Sequence, residues 1–211
     1  MPGVAKAVGA EEYVHLGLGD HRGRPDMQVD LSWAGEQEFR ALIGDTPGEF
    51  LEYLHVDGRV YVGGEAARNT WTYLADDDPR ALGEEKGFDA AAAPVLLALD
   101  VTGDYEALVD AVDKVENKGE EEMVGVSSTH YLVTVDVEAW HDQLPESSMH
   151  RQAEVDDPLL LDLWIDENSL PVRMEYAGTG SDDVRVDYTN WGTPIAVVEP
   201  QDAEPVGSVA S

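Results

Sequence analysis

Apolar and polar residues alternate with a period of two along much of the chain, the signature of strands with one face in a core and the other in water. In the clearest case Met27, Val29, Leu31 and Trp33 alternate with Gln28, Asp30 and Ser32. Similar stretches run from Tyr13 to Leu18, Glu38 to Ile43, Glu49 to Val56 and Arg59 to Val62. Asp57-Gly58 joins the last two, and because both residues tolerate positive φ the pair predicts a type I′ hairpin. Asp20 to Pro25 and Ala34-Gly35 punctuate the earlier strands. Five sequential strands with short turns predict an antiparallel meander.

The middle of the chain changes character. Trp71 to Leu74 leads into Asp76-Asp77-Asp78-Pro79, an arrangement that favours a helix N-terminus, where carboxylates meet orphan N–H groups. Phe88 to Val101 is nearly all Ala, Leu and Val, with Pro94 placed to start or kink a helix. Asp104 reads as the N-cap of a helix over Tyr105 to Val112, with Leu108, Val109 and Val112 on one face. Strand patterning returns at Lys114 to Lys118, Glu122 to Val126 and Thr129 to Asp136. Val137 to Met149 then predicts a helix with Trp140 and Leu144 four apart.

After a polar loop from Arg151 to Asp157, three half-buried strands close the chain: Leu159 to Glu167, Pro171 to Gly178 and Asp182 to Asn190. Trp191, before Gly192 and Pro194, is expected to plug a corner of the sheet. Residues 200–211 have too little apolar content to pack and predict a flexible tail. Residues 1–10 read as a second flexible end, although Val4, Ala7 and Val8 fit the end of a helix. The expected architecture is α+β: one domain over residues 11–199, a large curved antiparallel sheet with helices packed on its concave face.

Composition narrows the function classes. A chain of 211 residues, 43% hydrophobic with five Trp, is long enough to bury one full core. Thirteen Lys and Arg stand against forty-four Asp and Glu, a net charge of −31, which leaves no basic footprint for nucleic acid or for an anionic membrane surface. Such acidity predicts a monomer by self-repulsion, fits a solvated surface and would suit a high-salt habitat. With no Cys there is no disulfide framework, zinc-thiolate site or cysteine nucleophile. No stretch approaches the ~20 apolar residues a bilayer-spanning helix needs, and no signal peptide precedes Pro2.

Candidate chemistry is sparse. His15, His21, His55, His130, His141 and His150 show no helical metal-ligand spacing. Asp76 to Asp78 with Glu84 and Glu85 lack the twelve-residue calcium loop and its central Gly. Carboxylate pairs are unavoidable among forty-four acids and say nothing of glycosidase chemistry. A triad of His130 with Ser127 or Ser128 and Asp136 lacks any support from geometry, because neighbouring strand positions point to opposite faces. No nucleophile elbow or phosphate loop appears. The chain is therefore read as a non-enzyme without cofactor or metal.

Four segments share a pattern with one family. "VDGRVYV" at Val56 to Val62 is an Asp-Gly hairpin followed by Tyr, and "GVSSTHYLVTVD" at Gly125 to Asp136 carries a Thr-His-Tyr strand. "LWIDENSLPVRMEY" begins at Leu163, and "DYTNWGTPIAVVEP" runs from Asp187 to Pro200. In this order, and over roughly Val14 to Pro200, the chain resembles the mycobacterial LppX/LprA/LprF/LprG-type lipoproteins and their actinobacterial relatives, which share the half-barrel of the lipoprotein carrier LolA. The resemblance implies about eleven strands, a hydrophobic cavity roofed by helices, and an extracytoplasmic carrier of acylated lipid or glycolipid, with envelope transport proteins as further partners. It also implies a lipid-modified Cys after a signal peptide; neither is present, so the sequence is expected to be a mature form, lipid-anchored or secreted, with Met1 as an added start. If the resemblance fails, a cytoplasmic chain is expected.

The residues expected to line the cavity are Phe39, Ile43, Leu54, Val60 and Val62 on the sheet and Val95, Leu96, Leu97, Leu108, Val109 and Val112 on the helices. The competing reading has these residues filling an ordinary core, in a non-enzymatic envelope protein that binds another protein through its sheet or its acidic face. An enzyme of a high-salt organism, with a site the sequence hides, is the third.

Overall fold

The computed structural model describes residues 2–19, 27–44, 49–86, 88, 92–146, 148–179 and 183–207. The expected turn over Asp20 to Pro25, the first residues of the apolar run at 89–91, the start of the last strand at Asp182 and residues 208–211 lie outside them.

Among the described residues twelve strands form one open sheet, ordered β12-β6-β5-β4-β3-β2-β1-β11-β10-β9-β8-β7. The meander is β1 (Tyr13–Gly19), β2 (Met27–Ser32), β3 (Glu38–Ile43), β4 (Leu51–Val56), β5 (Arg59–Gly63) and β6 (Trp71–Ala75). The second half, β7 (Val112–Met123), β8 (Val126–Val135), β9 (Leu159–Ile165), β10 (Pro171–Tyr176) and β11 (Val184–Thr189), joins it by pairing β11 with β1. All pairs are antiparallel except β12 (Ala203–Pro205), which runs parallel to β6. The Asp57-Gly58 turn has φ of 52° and 67°, so the predicted primed hairpin forms as its residues dictate. Gly63 is held for a different reason: a Cβ there would overlap the Trp71 ring.

One face of this half-barrel is the core. Val29, Leu31, Phe39, Ala41, Tyr53 and Val60 from the meander join Val133, Leu161, Leu163, Met174 and Val186 from the second half in one apolar cluster. Their parity follows from the pleat, with the polar partner at each alternate position turned outward. The helices close over the same face. They are α1 (Pro2–Val8), α2 (Ala93–Leu97), α3 (Val101–Asp110), α4 (Val137–His141) and α5 (Met149–Gln152).

Several local expectations change. The apolar run gives only the five-residue α2, with Pro94 in its first turn, and a separate α3 begins at Val101. Asp100, not Asp104, caps α3, its side chain accepting from Gly103 N at 2.9 Å. Asp104 therefore sits inside the helix, and Val112 starts a strand. The acidic run makes turns instead of a helix, since Asp78 is engaged by the Arg80 guanidinium at 2.8 and 2.9 Å. Val137 to Met149 breaks into α4 and α5 around Pro145. The two short strands expected around Gly119 are the long β7, which reaches Met123, and the start of β8, with a register shift between Asn117 and Gly119.

Both termini carry structure where flexible ends were expected. Val4 and Val8 of α1 are buried in the core, and α1 packs on α3. At the other end the chain leaves β11, is pinned where Trp191 Nε1 donates to Pro171 O (2.8 Å), and crosses the outer face to reach the β6 edge. There Val197 and Ala203 pack against Leu54, Val56, Tyr61, Trp71 and Tyr73. Glu199 accepts from the buried Tyr61 hydroxyl at 2.7 Å and from Arg59 at 3.0 Å. Replacing Glu199 by Ala is expected to cost about 1 kcal/mol, the net worth of such a bond. Hydrogen exchange should then speed up at the Ala203 and Glu204 amides and stay unchanged in β9; equal acceleration in both would show that the strap is not a local unit.

Candidate functional site

The short helix α2 stands between two clefts at one end of the half-barrel. On one side Leu31, Trp33, Leu97, Leu99, Val101 and Pro145 enclose about 450 Å³, with Gln37 and Asp100 at the polar rim. Gln37 reaches across this mouth and donates to Leu99 O at 2.7 Å, tying the end of the meander to the α2–α3 turn. On the other side Leu82, Pro94, Leu97 and Ala98 border a cleft of about 350 Å³. A third opening of about 500 Å³ lies at the β6 edge, between Val62, Thr72, Phe88 and the Glu204 to Gly207 segment. The Arg80 guanidinium holds that segment through Gly207 O at 3.1 Å.

The residues expected to line one cavity are distributed differently. Phe39, Val60, Leu96 and Leu108 are fully buried in the core cluster. Ile43, Val62, Leu97 and Val112 pack against it while partly exposed, and Val95 and Val109 are half-buried. Leu97 lines both clefts beside α2, and Val62 lines the third opening. Leu54 lies on the outer face under the C-terminal strap, because its neighbours Tyr53 and His55 take the two inward positions of β4.

A polar cluster sits inside the helical cover. The side chain of Asp104 on α3 is only 13% exposed and faces His150, with 3.7 Å between Oδ2 and Nε2. The His150 Nδ1 and Tyr176 Oη lie 2.8 Å apart. With the ring neutral, the tautomer protonated at Nε2 accepts from Tyr176 and points its N–H at Asp104. Trp140 packs at 5.3 Å from the His150 ring, and Tyr105 meets Tyr188 edge-on at 5.9 Å. Burial, then the charge of Asp100, pushes Asp104 up to about 8. Burial, then the neighbouring His141, pushes His150 down to about 4. Both groups are thus uncharged near neutral pH.

Reading by sequence missed this cluster. Its signal was the spacing Val101, Asp104, Tyr105, Leu108, a single helical face once the helix is started at Asp100. His130, by contrast, is a strand residue on the outer face, stacked on Trp164 at 4.4 Å and hydrogen-bonded to Asp162 and Glu121. Among the described residues no group of three or more His, Asp or Glu is placed to hold a metal, and no helix is long and apolar enough to cross a membrane.

No protein-family model matches the chain. Among solved structures, LprF from Mycobacterium bovis superposes with a TM-score of 0.59 at 15% identity, over 94% of each chain. The Mycobacterium tuberculosis lipoprotein LppX gives 0.56 at 13% identity, over 93% of this chain and 95% of that one. The chain has the LprF and LppX fold. At these identities the agreement is one of architecture: an open, mostly antiparallel sheet with its few helices on one face, spanning nearly the full length of each LprF-like chain. An uncharacterized 31.2 kDa protein of Streptomyces griseus, from an rplA–rplJ intergenic region, is 27% identical over 189 residues, 77% of this chain. The chain spans 61% of the length of that curated relative.

Proposed function

We propose that the protein is a non-enzymatic, extracytoplasmic lipid-binding carrier that holds an acylated lipid between its sheet and its helices. The observation that carries this reading is the apolar mouth beside α2: an LppX-like half-barrel whose roof is breached where Leu97, Leu99 and Val101 face Leu31 and Trp33. Its volume of about 450 Å³ falls in the range of sites that take small organic ligands. Helix α2 is suited to serve as the movable part, being five residues long and flanked by clefts on both sides. The physical need for such a container is large. Each methylene is worth ~0.8 kcal/mol in leaving water, so a chain of roughly sixteen carbons resists crossing an aqueous envelope by on the order of 12 kcal/mol. The lipoprotein neighbour LppX supports an envelope location, lipid-anchored or secreted, and the net charge of −31 supports a monomer.

The full burial of Phe39, Val60, Leu96 and Leu108 favours a second reading, an envelope interaction module with a filled core. Native mass spectrometry of protein purified without detergent from an actinobacterial host separates the two. A single extra mass that extracts into chloroform as an acylated species is the expected result. A bare 23.0 kDa chain that takes up neither fatty-acid nor glycolipid probes would leave the interaction module standing.

A further inference from the structure

The β7–β8 hairpin runs on past the sheet that supports it. The last pair between β8 and β9 is Thr129 with Ile165, whereas β7 and β8 stay paired through Glu121 with Ser128, Glu122 with Ser127 and Met123 with Val126. Three residue pairs with no third strand beside them carry the Val124-Gly125 turn about 10 Å clear of β9. Three of the six large apolar side chains exposed among the described residues lie on this hairpin, Val115 on its flank and Val124 and Val126 at its tip. The finger is braced at its base, where Trp164 Nε1 donates to Glu121 Oε2 at 3.2 Å and Ser128 Oγ donates to Glu121 O at 3.1 Å.

Two hairpin turns of the chain share one backbone shape and differ in their first residue. Asp57-Gly58 joins β4 to β5 at φ of 52° and 67°, and Val124-Gly125 joins β7 to β8 at 53° and 77°. Aspartate tolerates that region, but a β-branched residue is strained in it, because both γ-carbons crowd the backbone. Nothing in the fold buries the Val124 side chain, which is 45% exposed. A strained backbone that presents an apolar group to water points to a contact outside the chain. The edge of β7 nearer the core does not compete for that contact. Lys114 and Lys118 both pair with Glu116, and the register shift between Asn117 and Gly119 interrupts the edge, devices that keep a strand from being extended by another.

We infer that the β7–β8 finger is a docking element: Met123, Val124 and Val126 enter an apolar socket with a basic rim on a partner protein. The charge of the rim follows from the stem. Glu120 and Glu122 are exposed there without an ion-pair partner among the described residues, on a chain of net charge −31, so a rim of Lys or Arg both steers the finger in and fixes its seat. The same charge favours a protein socket over a lipid surface, because an anionic bilayer would meet three consecutive glutamates and no Lys or Arg from Gly119 to Ser128. The braced stem means that little ordering is needed on docking. The inference stands apart from the lipid-binding reading and holds equally for a carrier and for a module with a filled core.

The test is photocrosslinking of the full chain expressed in its native cells. The photoreactive residue p-benzoylphenylalanine is placed at Ser127, an exposed stem position that leaves the tip intact, and separately at Leu160, exposed on the outer face of β9, as the control. Position 127 is expected to give one discrete protein adduct that position 160 does not, with Lys or Arg beside apolar residues in the partner's crosslinked peptide. In the position-127 protein, Val124→Asn should lower the adduct yield roughly tenfold or more, as expected for losing one buried valine. The same variant should melt about 2–4 °C higher, because asparagine relieves the strain at positive φ; a valine that merely supports the hairpin predicts a lower melting temperature. Glu120→Lys combined with Glu122→Lys should abolish the adduct without unfolding the protein. No discrete adduct at position 127, the same adduct from position 160, or a yield unchanged in both variants would overturn the docking element. Crosslinks to lipid in place of protein, lost in Val124→Asn, would overturn the protein socket and make the finger a membrane contact.

Discussion

The Asp104→Asn variant should be more stable than wild type at pH 9 and close to it at pH 4, with the difference opening as pH rises. Asp104 titrates at about 8 in the fold against an ordinary 3.8, because burial and then Asp100 oppose its charge. The folded state thus binds the proton more tightly than the unfolded chain, and stability falls with pH throughout the interval from 3.8 to about 8. His150 works in the opposite sense. Burial lowers it from 6.5 to about 4, so the unfolded chain binds the extra proton between those values and stability rises with pH there.

In wild type the two slopes oppose each other below pH 6.5, and above it only the Asp104 loss continues. Asparagine removes that loss and leaves the rise due to His150. A buried charge without a partner costs roughly 3–5 kcal/mol, which sets the scale of the difference at pH 9. Among the described residues the groups that face Asp104 are His150, Tyr105, Tyr176, Tyr188 and Asp100, none of which supplies a cation at alkaline pH. Urea denaturation of both proteins from pH 4 to 9 gives the curves. If they run parallel across the whole range, Asp104 does not carry the buried proton.

The sheet was legible in the sequence wherever its period was two and its turns used residues with a single conformational purpose. Glu38 to Ile43 was read with its observed bounds, and Met27 to Trp33 was read one residue too long, because strand ends fray into loops of the same polarity. The Asp57-Gly58 turn was readable because only residues that tolerate positive φ fit there. Strand β12 was not readable. Its three residues, Ala203 to Pro205, have no apolar periodicity, and what seats them is tertiary: Val206 N donates to Tyr73 O, and Arg80 holds Gly207.

The helical segment was harder for a different reason. Two aspartates four residues apart, Asp100 and Asp104, each satisfy the pattern of an N-cap, and only Gly103 N, bonded to Asp100, decides between them. That choice shifts the helix by four residues and turns Asp104 from a solvated cap into a buried acid. The polar cluster was hidden with it, since His150, Tyr176 and Tyr188 belong to elements far apart in sequence that meet only in the folded sheet. Leu54 was misplaced on a smaller scale: β4 is buried on both sides from Tyr53 to Val56, and an unbroken apolar run does not say which positions face the helices.

Leu97→Trp should abolish lipid uptake with little change in stability. Leu97 is the last residue of α2, half-buried, and lines the clefts on both sides of that helix, so the larger ring has open space to enter on either side. Surface-proximal substitutions of this kind usually change folding stability by less than ~1 kcal/mol, well below the cost of overpacking a filled core, roughly 1–3 kcal/mol. The indole would occupy the cleft framed by Trp33, Leu99 and Pro145. Extraction of protein expressed in the same host should therefore recover at least about tenfold less lipid from the variant, a factor that corresponds to ~1.4 kcal/mol of binding. Thermal melting of the lipid-free proteins supplies the control. A variant that folds normally and still copurifies with wild-type amounts of lipid would place the entrance elsewhere, at the β6 edge where Val62 and Phe88 meet the C-terminal strap.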